Sequence, residues 1–426
     1  MYQQDRHLSS HDLKPAEKTT EPLNPILFCS SNQIGANNMD SEGNHQRDTV
    51  SSPSLTDETL AKTLTSSCSL HAPPQLPTVT LDLISEILTR LPVKHLLQLK
   101  SVSKSWNYLI SDPKFAIKHL RLSNTYLVHP NRSSNNVLQS YLLDSIFTDD
   151  VTTNSSIAQL ELPSNQFSCV GSFNGILLLV SEHGGFLNLR LWNPSIRKFK
   201  ELPSLEKKQN VLRHELIYGF GYDVTANAYK VVVGLHVRDT NHEVKVHALG
   251  TNSWKTIPKF PFGCVPLQFL GKSVSGTINW LVARQYDNKF QDCIVSLDLG
   301  SESCKEVLLP KEVDTSTLRL RWYLGVLRDC LCLVFGHDVW IMKEHGNNDS
   351  WAKLYSVSFM RDFPSSFATI EVLHIFKDGC LLLDCIYEGE RTRKLVFHNS
   401  RNGTFKFSES KIMRDVCVES LISPCS

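Results

Sequence analysis

The side chains best able to do chemistry in this chain are its thiols, imidazoles and carboxylates, and their spacing does not assemble a reaction centre. Twelve cysteines are scattered along 426 residues. The closest pair, Cys330 and Cys332, lies in the apolar run CLCLVFG. Read as a strand, that run turns both thiols to one face, but a zinc site needs a second Cys or His pair at ligand spacing, which the sequence does not offer. Small buried hydrophobes in a reducing compartment are the simpler reading. His236, His242 and His247 fall close together, yet alternation along strands does not group them as a metal triad. Asp and Glu are spread through turns, with no pair patterned to separate acid from base. Gly219-Phe-Gly221 is a lone G-x-G inside a strand-like run, and neither a phosphate loop nor a G-x-S-x-G elbow is present. Arg319 and Arg321 in TLRLRWYLG read as a solvated strand face, with a basic contact patch as the alternative. The expectation is a chain with no catalytic, cofactor or metal residues.

Bulk properties narrow the class further. A formal net charge of +1 argues against a protein built to hold nucleic acid by its phosphates. The longest apolar runs, such as Ile176 to Val180, are far too short to span a bilayer. The polar N-terminus MYQQDRHLSSHDLKPAEK lacks the apolar stretch of a signal peptide, so the expected location is cytoplasmic, nuclear or both.

Three kinds of sequence follow one another. Residues 1–75 are rich in Ser, Thr, Asn, Gln and Pro. They carry too little apolar surface to offset chain entropy, so a disordered tail is expected. From Leu76 the pattern becomes helical. Leu81, Ile84, Leu88 and Leu91, with Leu83 and Ile87 beside them, form one wide apolar stripe. Thr80 is a plausible N-cap, and Asp82 and Glu86 lie in the early turns where the helix dipole favours anions. Pro92 marks a break. Val93, Leu96, Leu99 and Val102 predict a second helix, Trp106, Leu109 and Ile110 a third, and Phe115, Ile117 and Leu120 a fourth after the turn Ser111-Asp112-Pro113.

After about Asn124 the helical spacing gives way to short β-branched and aromatic runs punctuated by Gly, Asn, Asp and Pro. The segments recur with a period of roughly 45–55 residues, each reading as four strands, which is the mark of a propeller blade near kelch length. About six blades are expected. Gly175, Gly276, Gly325 and Gly379 would serve tight turns beside inner strands. Trp192, Trp254, Trp280, Trp322, Trp340 and Trp351 would pack between blades. VCVESLISP, from Val416, would return to pair with the first blade and close the ring. The polar loops Arg238 to Glu243, Gln285 to Gln291 and Glu344 to Asn348 are where a ligand would be met.

The helical segment therefore demands an explanation. Residues 76–122 hold eleven leucines in a unit too small to bury them comfortably. Surplus apolar surface on that scale calls for a partner, or for docking on the chain's own propeller.

The segment LPTVTLDLISEILTRLPVKHLLQLKSVSKSWNYLISDPKFAIKHL resembles the F-box motif, in the form found in a large plant group with an associated β-rich domain. The later segments GSFNG, LWNP, YGFGYD, YKVV and GTINW are similar to the associated domain of the same group. The resemblance spans roughly residues 76 to 420. With the disordered tail (1–75) read from composition, it gives an α+β multidomain chain: an all-α F-box module (76–122) and an all-β kelch-like propeller (124–420) of about six blades. It also implies a Skp-type adaptor as the missing partner and, through it, a cullin-based ubiquitin ligase, with an unknown protein substrate held by the propeller. By position, Leu76, Pro77, Ile84, Leu88, Leu91, Pro92, Val93, Leu96 and Trp106 would face or support the adaptor. Two alternatives stand beside this reading. One is a propeller enzyme or glycan-binding protein with a helical lid; the other is an F-box protein acting outside the ligase.

Overall fold

A computed structural model describes residues 80–425, apart from 131–136, 144–157, 163–166, 208–215, 236–242, 258–263, 287–288, 312–321, 337, 357–366, 377–378, 388–392, 400–401 and 411–414. The expected polar tail, Leu76, Pro77, Arg319, Arg321, His236 and His242 lie outside the described residues.

Four short helices come first: α1 (Leu81–Leu88), α2 (Val93–Leu99), α3 (Lys104–Ser111) and α4 (Pro113–Leu120). Their ends obey local chemistry. The Thr80 hydroxyl accepts from the Leu83 N–H at 3.5 Å, that of Ser103 from Trp106 N–H at 3.2 Å, and the Asp112 carboxylate from Lys114 N–H at 2.9 Å. Pro113 follows Asp112 at the first helical position, where its missing N–H costs nothing. Val102 does not extend α2 as its spacing predicts. The helix ends at Leu99, and Val102 stands exposed in the following turn.

Six antiparallel sheets follow. The first contains β1 (Thr125–Pro130), β2 (Val137–Leu142) and β3 (Ala158–Glu161). The second has β4 (Ser168–Phe173), β5 (Ile176–His183), β6 (Phe186–Asn193), β7 (Lys198–Glu201) and the two-residue β8 (Leu205–Glu206). The third has β9 (Leu216–Asp223), β10 (Ala228–Leu235), β11 (Glu243–Ala248) and β12 (Lys255–Ile257). The fourth has β13 (Cys264–Pro266), β14 (Lys272–Val274), β15 (Thr277–Tyr286), β16 (Lys289–Asp298) and β17 (Cys304–Val307). The fifth has β18 (Tyr323–Leu327), β19 (Cys330–Phe335), β20 (Asp338–Met342) and β21 (Trp351–Ser356). The sixth has β22 (Phe367–Ile375), β23 (Leu381–Tyr387), β24 (Arg393–His398) and β25 (Phe405–Ser410).

The last strand, β26 (Asp415–Val418), returns to the first sheet and pairs antiparallel with β1, Leu127 opposite Val416 and Tyr126 opposite Cys417. Strands β26, β4, β9, β14, β18 and β22 each touch the next and the last touches the first, so the six sheets form a closed ring. This is a six-bladed β-propeller whose first blade takes its inner strand from the far end of the chain.

A blade has two apolar faces and cannot bury them alone. The buried clusters accordingly lie between blades. Leu178 and Leu189 of blade 2 meet Tyr218 and Val231 of blade 3, and Leu127 of blade 1 meets Leu382 and Leu395 of blade 6. The six tryptophans expected at blade seams occupy them: the Trp280 indole donates to Tyr218 O at 3.0 Å, and Trp254 donates to Pro203 O at 2.7 Å. Cys330 and Cys332 are buried in β19. His247 is buried too, its Nε2 3.1 Å from Thr251 O. Gly325 differs from its expected role: it lies within β18 rather than in a turn.

Several segments quoted for the family resemblance are latches between blades. Asp223, at the end of YGFGYD, accepts from Thr225 and Ala226 N–H at 2.9 and 3.0 Å and faces the Lys230 ammonium at 3.0 Å. Lys230 also donates to Leu299 O at 2.6 Å and Glu302 at 3.0 Å in blade 4. Burial alone would raise the Asp223 pKa, but the hydrogen bonds and the Lys230 charge hold it below the ordinary carboxylate value. For Lys230, burial works downward, yet its two carboxylate partners raise its pKa. The signs set a window. Asp223 lends stability above the ordinary carboxylate pKa and loses it as pH falls through its lower folded value; Lys230 lends stability below the ordinary lysine pKa and loses it as pH rises through its higher folded value. Lys230→Met strands a buried carboxylate and is expected to cost about 3 kcal/mol. In melting curves the gap from the parent protein should be constant near neutral pH and shrink below about pH 4; a gap unchanged at pH 3 would contradict the latch.

Candidate functional site

The helical module is built around a small core. Leu88, Leu96, Ile110 and Phe115 are buried, and Ile84, Leu91, Leu99, Trp106 and Leu109 pack against them. His119 pins α4 to the bend between α1 and α2, with Nε2 2.8 Å from Leu91 O. Burial pushes its imidazole pKa down, partly opposed by that bond, so the ring is neutral at pH 7 and Nε2–H donates. On the surface Glu86 reaches Lys118 of α4 at 2.8 Å and Arg90 at 3.3 Å. The Lys118 hydrogen bond, then that of Arg90, lowers its pKa, but exposed pairs of this kind add little stability.

The wide apolar stripe read on α1 is two surfaces. Ile84, Leu88 and Leu91 face the core. Leu83 and Ile87, four residues apart and therefore on one side of the helix, are 53% and 54% exposed. Leu81, Leu97 and Val102 are exposed as well, and Tyr108 on α3 is 82% exposed. Among the described residues, sixteen large apolar side chains stand exposed, and eight of them lie between Leu81 and Leu122. The rest are spread over the much longer propeller. Residues 80–122 also hold seven Lys and Arg against three Asp and Glu, so the helical module is net basic.

Of the nine residues singled out from sequence, Leu76 and Pro77 are outside the described residues. Leu88, Val93 and Leu96 are buried, and Ile84, Leu91, Pro92 and Trp106 are half-buried. The structure brings Ile84, Leu88, Leu91, Leu96 and Trp106 into one cluster, which supports the surface rather than forming it. Sequence reading missed Leu97, Val102 and Tyr108 as surface residues. The signal available was width: an apolar arc holding Leu83 and Ile87 as well as Ile84 and Leu88 exceeds what one core face needs.

The polar loops read as contact sites also divide. Glu344 to Asn348, between β20 and β21, sits at the same end of the ring as the β14–β15 turn, because His345 Nε2 is 3.1 Å from Thr277 Oγ1. That is the end where the helical module joins. The strand ends flanking Arg238–Glu243 and Gln285–Gln291 lie at the opposite end, since successive strands of a blade run up and down.

Residues 76–118 match the F-box domain, and residues 127–416 match the F-box associated beta propeller domain. The chain belongs to the F-box proteins that carry an associated β-propeller. An F-box/kelch-repeat protein of Arabidopsis thaliana is 31% identical over 376 residues, covering 83% of this chain and 97% of that protein. The F-box protein CPR1 of the same plant is 28% identical over 381 residues, covering 82% of this chain and 90% of its own length. The F-box and the propeller of this F-box protein are consecutive parts of one chain. No helix among its described residues is long and apolar enough to cross a membrane.

Proposed function

We propose that this chain is the substrate-recognition subunit of an SCF-type ubiquitin ligase. Its F-box helices bind a Skp-type adaptor, and through it a cullin, while the propeller holds a target protein. The observation that carries this reading is the concentration of exposed apolar side chains on four short helices. So much exposed apolar surface on so small a unit favours a protein-docking role. The contact residues are Leu81, Leu83, Ile87, Leu97, Val102 and Tyr108, and, by their position in the motif, Leu76 and Pro77. Leu88, Val93 and Leu96, with Ile84, Leu91, Pro92 and Trp106, support it from behind. The net basic charge of the module favours an acidic surface on the adaptor.

The chain makes and breaks no bond itself. Its contribution is proximity: a held substrate meets a ubiquitin-charged enzyme on the cullin arm at high effective concentration. The working compartment is the cytoplasm, the nucleus or both. The ring end opposite the helical module, from which the β10–β11 and β15–β16 loops depart, is the side offered to a target.

The test is reconstitution. The purified chain should co-elute one to one with a Skp-type adaptor and cullin and, with a captured target, support ubiquitin transfer to it. Failure to co-elute with any Skp-type adaptor would overturn the proposal. Deleting residues 1–75 should leave the melting temperature unchanged and the adaptor affinity within twofold of the full chain; a larger loss of affinity would make the tail part of the docking surface.

A further inference from the structure

We propose that the segment Glu419–Cys425 is a strap that completes the F-box module from outside, so that the docking helices hold their shape only once the propeller ring has closed. As a claim about adaptor binding it rests on the function proposed above; as a claim about the helices it stands alone.

The strap begins where β26 ends. Glu419 N–H donates to Asn124 O at 3.0 Å, continuing the pairing with the start of blade 1. Its side chain turns the other way, and Oε1 accepts from Val93 N–H at 2.9 Å. That N–H opens α2, where Pro92 occupies the N-cap and has no side-chain acceptor to give. The cap that most helices take from a neighbouring Ser, Thr or Asp is here supplied from 326 residues away.

Two positions on, Leu421 packs into the cluster of Leu88, Leu96, Ile110 and Phe115, and among the described residues it is the one member of that cluster from outside the helical module. The next residue, Ile422, packs instead against the seam of blades 2 and 3. Consecutive side chains of an extended segment point to opposite sides, so two adjacent residues join the two modules.

The propeller grips the strap firmly. Asn193 Nδ2 donates to Ser420 O at 2.9 Å and Ile422 O at 2.8 Å, while its Oδ1 accepts from Ser195 N–H. Ser420 N–H donates to Ser195 Oγ at 3.2 Å. Gly175, at φ +76°, lies so close that a Cβ there would stand 2.3 Å from Ser420 Cβ and 2.4 Å from Val418 O. Asn193 and Gly175 thus have a task beyond their own hairpins: they seat the strap.

A four-helix unit with six buried apolar side chains is marginal by itself, and one more leucine is a large addition. Residues 93 and 419 are separated by almost the whole propeller, and Glu419 directly follows β26, so their contact requires the ring to bring β26 back to blade 1. A chain whose ring is open retains every F-box residue yet lacks Glu419 and Leu421 at their posts. The strap therefore biases adaptor recruitment toward receptors whose recognition domain is complete.

The test uses the full chain with Leu421→Ala, Glu419→Ala and Glu419→Gln, read by amide hydrogen exchange without adaptor and by adaptor affinity. Leu421→Ala should speed exchange across residues 93–111 at least tenfold and weaken adaptor binding about tenfold, with blade strands unchanged. Glu419→Ala should speed exchange at Val93 and the first turn of α2, whereas Glu419→Gln, which keeps the acceptor oxygen, should match the parent. Helix exchange equal to the parent in both alanine variants would overturn the strap. Should the parent bind no Skp-type adaptor, the proposed function fails while the exchange data still judge the strap.

Discussion

A chain carrying Leu83→Asp and Ile87→Lys is expected to bind a Skp-type adaptor at least about 100-fold more weakly than the parent, a loss of about 2.7 kcal/mol or more, with no change in melting temperature. Both side chains are about half exposed in the free chain, and central apolar anchors of an interface each cost 2 kcal/mol or more when removed, so a pair exceeds the threshold. The charges are chosen to spare the fold. An aspartate in the first turn of α1 and a lysine near its end both suit the helix dipole, and four residues apart they attract each other. Neither parent side chain belongs to the module's core cluster. Titration calorimetry with the adaptor, beside a thermal melt, decides the matter; an affinity within threefold of the parent would remove this face from the interface.

Trp280→Ala is expected to be the most damaging single change in the propeller, at about 3–5 kcal/mol. The indole is fully buried, and its N–H donates to Tyr218 O across the seam of blades 3 and 4. Two backbone segments rest on the ring: a Cβ at Gly219 would stand 2.8 Å from it and one at Gly271 2.6 Å. Those glycines fit because the tryptophan is large, so no neighbouring side chain can fill the space it leaves. The melting temperature should fall by roughly 6–10 °C, taking about 2 °C per kcal/mol for a domain of this size. Adaptor affinity measured well below that transition should be unchanged, since the ring is then still closed. A drop under 2 °C would mean the seam repacks.

The order of modules was legible because each carries a strong local signal. Helical spacing with Thr80, Pro92 and Asp112-Pro113 as punctuation fixed four helices, and the recurring strand units fixed six blades. The return of Val416 to the first blade was legible too, since β26 is the strand that the incomplete first unit lacks. What failed was finer: where elements end, which side of a helix faces the core, and some contacts distant in sequence. Val102 fits the spacing of α2, but the helix has only two turns, and a hydrogen-bonded turn after Leu99 carries Val102 to the surface. Gly325 looks like a turn residue and is a strand residue. The core-or-surface split of Ile84 and Leu88 from Leu83 and Ile87 is invisible to a one-dimensional apolar count. Least legible were Glu419 and Leu421: nothing near them in sequence announces that a carboxylate will cap a helix 326 residues earlier.

Amide hydrogen exchange of the full chain, alone and saturated with a Skp-type adaptor, tests the central claim most directly. Added protection should fall on α1 and on the segment from Leu97 to Tyr108, and none on the blade strands. Protection confined to the propeller, or no change in the helices at saturating adaptor, would contradict it.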